Sequence, residues 1–303
     1  MTSIGSYGWL GVEVFFVISG FVIPYSIWKL YPNYSIRLFP QFLARRIVRL
    51  EPPYLISLAL VIILHYIVSD FSSFRGSAPS YEFLQLASHI FYLVPLTNYE
   101  WIQPTYWSLA YEFAFYVSIG LTYWLVSSMH GAVVWFTTFT LLVSMILLGQ
   151  LPSRVLLFVM GVSMFRNIAG FQNSFIGISV VAICGFVIGC TAGPAIALTG
   201  LASIIILYWG MRFELSGIAG KALLSCGAIS YSLYLVHVPI GGRVVNLGRR
   251  VVDGPVQELL LSIFALVIAV CFAVVFYTIV EKPFVRRARR LSVSRAAAQS
   301  AIS

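Results

Sequence analysis

The run GVEVFFVISGF, residues 11–21, is apolar or small at every position except Glu13. An ionised side chain inside a bilayer costs about 2.5–3.5 kcal/mol on insertion scales, so such a residue faces the protein interior or water and has a partner. A second carboxylate, Glu112, lies in TYWSLAYEFAFYV, 105–117. Ser108, Glu112 and Tyr116 recur at i, i+4 and i+8, so a helix there carries a hydroxyl, a carboxylate and a phenol on one face. Trp107 precedes them, and an interfacial aromatic belt accounts for Tyr106 and Trp107 without chemistry. In FLARRIVRLEPPY, 42–54, Arg45 and Arg49 share a face, and two guanidiniums there suit a phosphate-rich ligand as well as ordinary anchoring at the membrane surface. Pro52 and Pro53 predict a break between a short basic helix and a following span. In ISYSLYLVHVPI, 229–240, Ser230, Tyr234 and His237 share a face. In VEKPF, 280–284, Glu281 and Lys282 mark a helix end, and Pro283 is expected to stop that helix. His65, His89 and His130 read as satisfied core residues.

The elements that must position these residues are membrane spans. Of 303 residues, 60% are hydrophobic and 10% charged, against about 25% charged in a soluble globular domain. The mean hydropathy is +0.92. The expected fold class is all-α, a polytopic transmembrane helix bundle. Nine stretches are candidates: 8–28, 53–69, 106–127, 131–149, 152–168, 174–191, 194–211, 222–242 and 257–280. Residues 81–97 read as an interfacial or re-entrant piece in the loop 70–105. Residues 1–290 form one integral membrane domain, and 291–303 read as a disordered cytoplasmic tail.

The net charge is +9. With the N-terminus outside, the outer side holds only Arg75, Arg154, Arg243, Arg249 and Arg250 of the 19 Lys and Arg, which satisfies the positive-inside rule. Basic loops meeting anionic headgroups account for the charge, and no motif supports nucleic-acid binding. No secretory signal peptide is expected, because no Lys or Arg precedes Lys29. The four cysteines, Cys184, Cys190, Cys226 and Cys271, lack metal-ligand spacing and read as small core residues.

In this order, GVEVFFVISGF, RRIVRLEPPY, YWSLAYEFAFY, ISYSLYLVHVPI and VEKPF resemble the acyltransferase-3 family of bacterial integral membrane O-acyltransferases, over about residues 8–285. The resemblance implies a multi-pass protein of the bacterial inner membrane with a cytoplasmic C-terminus. It implies transfer of an acyl group, acetyl by default, from cytosolic acyl-CoA to a hydroxyl of a cell-surface or exported glycan or glycolipid. The donor acyl-CoA is a substrate, and no permanently bound cofactor or metal is expected. By motif, Arg45 and Arg49 would bind the CoA phosphates. Glu13, Glu112 and Ser108 would serve catalysis. Trp107, Tyr116, Tyr234 and His237 would line the substrate pocket.

The family is expected to have ten spans, the first carrying a catalytic histidine. Here MTSIGSYGWL leads straight into the equivalent of the second span, so a general base is missing where the family places it. Two other readings stay open: a multi-span transporter or flippase without acyl chemistry, and an inactive, N-terminally truncated homologue.

Overall fold

A computed structural model describes residues 5–70, 79–128, 132–213, 216–252 and 254–300, and His130 and Arg75 lie outside them. The described residues are helical, with no strand. The helices are α1 (Gly11–Leu30), α2 (Phe39–Ser69), α3 (Phe83–Ile90), α4 (Trp107–Val126), α5 (Ala132–Leu147) and α6 (Val155–Ile168). There follow α7 (Ser174–Thr191), α8 (Pro194–Gly210), α9 (Gly217–Val236), α10 (Arg243–Gly248), α11 (Pro255–Phe276) and α12 (Lys282–Ser300). Two π-helical stretches, His237–Gly242 and Tyr277–Glu281, follow α9 and α11.

All nine expected stretches are helical, and six of these helices are long and apolar enough to cross a membrane. The other three are shorter; α6, with 14 residues, reaches about 21 Å at 1.5 Å per residue, less than the ~30 Å hydrocarbon thickness. Lipid as the surrounding solvent explains the outward faces. Leu260, Phe264 and Val267 of α11 are 60%, 57% and 51% exposed. Cys190, Cys226 and Cys271 are also exposed, so of the four free cysteines only Cys184 is a core residue. The 81–97 stretch holds the eight-residue α3, about 12 Å long, with Phe83 and Leu84 turned out. It is too short to span, as the sequence predicts.

Two expectations about prolines are corrected. α2 does not break at Pro52 and Pro53; it runs 31 residues through both. The prolines remove two backbone donors in one turn, and beside that turn the Tyr231 hydroxyl donates to the Leu50 carbonyl at 2.9 Å. Pro283 does not end the last helix either. It is the second residue of α12, directly after the π turn that widens the chain ahead of it. α12 ends at Ser300.

The chain forms two compact units, Met1–Leu43 with Tyr111–Glu214, and Ala44–Ala110 with Leu215–Ser303. In the first, α1 packs on α6 and α8, and α7 on both α6 and α8. Asn173 caps α7 by accepting from the Ile176 amide at 2.8 Å. Gly193, at φ +105°, turns the chain into α8, a conformation open to glycine alone at little cost. α1 and α6 touch backbone to backbone. A Cβ built on Gly20 would lie 2.8 Å from the Phe158 Cα, and one on Gly161 would lie 2.7 Å from the Gly20 carbonyl carbon. Phe16 stacks on Phe158 at 4.5 Å between centroids, and Trp28 meets Phe165 further along. The contacts advance together along both helices, so α1 and α6 run parallel.

In the second unit the core gathers Tyr54, Leu58 and Val61 of α2, Tyr106 and Leu109 at the start of α4, Leu235 of α9 and Phe276 of α11. Tyr106 is fully buried there and shares a 2.8 Å hydrogen bond with Ser57. It is a core residue, not part of an interfacial belt.

Candidate active site

Glu13 sits in the first turn of α1 and is 1% exposed. The parallel packing of α1 and α6 brings it a cation. Arg154, just before α6, donates from Nε to Glu13 Oε1 at 2.7 Å. The other oxygen, Oε2, is buried without a hydrogen-bond partner among the described residues. Two turns along α1, about 9 Å on, Ser19 donates to Glu112 Oε1 at 3.3 Å. Tyr116, one turn beyond Glu112 on α4, donates to the same oxygen. The i, i+4 reading of Glu112 and Tyr116 therefore holds, and the first unit carries two buried carboxylates, Glu13 on α1 and Glu112 on α4 against Ser19 of α1.

The second unit holds the other candidates. Ser108 is buried in the first turn of α4. Its Oγ lies 2.5 Å from the Tyr234 hydroxyl and 3.2 Å from the Thr105 carbonyl, to which Tyr234 also donates at 2.5 Å. This knot ties α4 to α9 and occupies both hydroxyls. Trp107, beside it, is half-buried. Ser230, which the spacing groups with Tyr234 and His237, is exposed and bonds back to the Gly227 carbonyl.

His237 opens the π turn. Its Nδ1 is 2.8 Å from the Tyr234 carbonyl and 3.1 Å from that of Leu233. Two carbonyls can only accept, so Nδ1 carries a proton and donates to them, which fixes the orientation of the ring. The π turn has a local cause: Pro239 has no amide to give the helix and its ring displaces the preceding turn. His89 is committed differently. Its Nδ1 donates to the Gln85 carbonyl at 2.8 Å, and its Nε2 accepts from the Ile102 amide at 3.0 Å. Burial holds its pKa below the ordinary histidine value, so it stays neutral.

Arg45 is half-buried and Arg49 exposed on α2. Glu281, in the second π turn, is 2% exposed, accepts from Ser232 at 2.5 Å and lies within electrostatic reach of Arg49. The Tyr231–Leu50 bond sets this turn of α2 beside α9, six residues or about 9 Å before His237.

Sequence reasoning missed Arg154 and undervalued Glu281. The signal for Arg154 was available: a buried acid near one end of a span needs a cation at the matching end of a neighbouring helix. Glu281 reads as boundary punctuation until its burial is known. Arg166, also missed, is 1% exposed in α6. It donates to the carbonyls of Leu125, Val126, Ser128 and Phe171, and its guanidinium lies 5.1 Å from the Trp135 ring centroid. Its role is to satisfy the last carbonyls of α4, which carry the negative end of that helix.

Among the described residues no group of histidines, cysteines and acids could hold a metal ion. No curated protein and no solved structure matches the chain. The acyltransferase domain of the acyltransferase-3 family matches residues 8–278, which takes in both carboxylates, the arginine pair and His237. The chain belongs to the acyltransferase-3 family, and is a multi-pass membrane acyltransferase.

Proposed function

We propose that this acyltransferase moves an acyl group, acetyl by default, from cytosolic acyl-CoA to a hydroxyl of a cell-surface or exported glycan. Its setting would be the bacterial inner membrane, with the C-terminus cytoplasmic. The observation that carries the reading is the second unit's pairing of a two-arginine turn with a histidine about 9 Å along the neighbouring helix, its ring oriented by Nδ1 bonds to two carbonyls. Arg45 and Arg49 are suited to the phosphates of CoA. Glu281, buried in the same unit, accepts from Ser232 of α9.

In the reaction the acceptor oxygen attacks the thioester carbonyl, a C–O bond forms and the C–S bond breaks. The acceptor proton passes to His237 Nε2 and on to the departing CoA thiolate, so protons balance without a further reactant. Ser108 and Tyr234 position the histidine's helix. Glu13 and Glu112 are our remaining candidates, for orienting the base and for the acceptor's hydroxyls respectively.

The test is acyl transfer by R45A, R49A and H237Q. Either arginine variant should insert normally and lose transfer. H237Q should lower kcat by about 10²–10⁴. Full activity in both arginine variants would remove the CoA role.

A further inference from the structure

At the far end of the second unit lies a cavity of about 370 Å³, lined by His65 and Val68 of α2, Gln103 and the 238–250 segment. From Arg49 to His65 is sixteen residues of one helix, about 24 Å. The cavity is therefore a different place from the arginine pair assigned to CoA. Its chemistry is one-sided. Arg243, Arg250 and Asn246 line it, with no carboxylate among the lining residues. Neither arginine has an ion-pair partner among the described residues; Arg243 spends one N–H on the Pro239 carbonyl at 3.2 Å. Gln103 is 5% exposed, and its Nε2 is buried with no hydrogen-bond partner. A buried amide donor left unmatched is costly unless something accepts from it. Two guanidiniums and an unmatched amide nitrogen at one cavity make a donor-rich set with no carboxylate to oppose it. The rest of the wall is apolar, from Val68, Val238, Pro239 and Leu247.

We infer that this cavity binds a phosphate ester, its oxygens taken by Arg243, Arg250 and Gln103. The volume lies at the small end of ligand sites, about 300–1,000 Å³, and suits a phosphate with one sugar-sized body rather than a polymer segment. That phosphate can come from a soluble sugar phosphate or from a lipid headgroup; the chemistry is the same. The inference concerns binding alone and does not depend on the donor assigned above.

The full-length protein in phosphatidylcholine nanodiscs is titrated with glucose 1-phosphate, with glucose as the uncharged control. Glucose 1-phosphate should bind and glucose should not. R250Q and Q103L should each weaken binding about tenfold, whereas R286Q on α12 should not. R243Q should act likewise, but it also removes the bond to Pro239. R250Q, whose residue bonds no other group among the described residues, decides if R243Q fails to fold. Nanodiscs containing phosphatidic acid separate the sources. Loss of glucose 1-phosphate binding there, restored in R250Q discs to the level of R250Q without the lipid, assigns the site to a lipid headgroup. Unchanged binding assigns it to a soluble ester. Failure of both glucose 1-phosphate and phosphatidic acid to bind, or binding indifferent to R250Q and Q103L, overturns the inference.

Discussion

Removing Arg154 strands a buried carboxylate. Glu13 is 1% exposed, one of its oxygens is held at 2.7 Å and the other has no hydrogen-bond partner among the described residues. Taking one partner from a fully buried pair costs about 3–5 kcal/mol. Arg154 is 35% exposed, so part of the field is screened and the lower range applies, about 2–3 kcal/mol. At about 2 °C per kcal/mol for a chain of this size, R154Q should lower the melting temperature by about 5 °C. E13Q keeps a hydrogen-bonding oxygen and removes the charge, so its loss should be smaller, about 1 kcal/mol. The double variant E13Q/R154Q should lose less than the sum of the two, by about 1 kcal/mol or more, because the stranded charge is gone. The assay is size-exclusion recovery of detergent-solubilised protein after heating. A shift under about 1 °C for R154Q, or strict additivity in the double variant, would refute the pairing argument.

Other perturbations follow from the same geometry. Arg166→Lys cannot reproduce a planar fork serving four carbonyls, and should cost about 3 kcal/mol, read as lost monodisperse protein on heating. Gly161→Ala puts a methyl into the backbone of α1; about 1–3 kcal/mol should be lost, while Gly8→Ala, with open space around it, should be silent in the same melt. His89 supplies the pH dependence. Its folded pKa lies below the unfolded value of 6.5, so its contribution is complete above pH 6.5 and is lost as pH falls towards the folded value. Limited proteolysis of the 79–106 segment should accelerate on acidification below 6.5, and H89Q should flatten that dependence.

The spans were legible because lipid imposes long apolar runs whatever the fold. So were Glu13 and Glu112, because a lone carboxylate in such a run stands out. Partners were less so. Arg154 is 141 residues from Glu13, and only the parallel packing at Gly20 and Gly161 explains why those two meet. The prolines misled for a physical reason. Pro52 and Pro53 carry a local helix-breaking signal, and tertiary packing overrides it, with Tyr231 bonding to the adjacent turn. Pro239 was read as part of a span, and widening the helix into a π turn is what sets His237 where its Nδ1 meets two carbonyls. Ser108 shares a helix face with Glu112 and Tyr116 by spacing. Its contact with Tyr234 depends on a pair 126 residues apart, which spacing cannot show.

The central claim is acyl transfer from acyl-CoA, and the most direct measurement follows acetyl-labelled acetyl-CoA with the purified protein in nanodiscs and a glycan-containing membrane extract. The account predicts label in a hydroxyl ester of the extract, free CoA in equal amount, and loss of both in R45A and H237Q. Intact acetyl-CoA after incubation with folded protein, or label transfer unchanged in both variants, would contradict it.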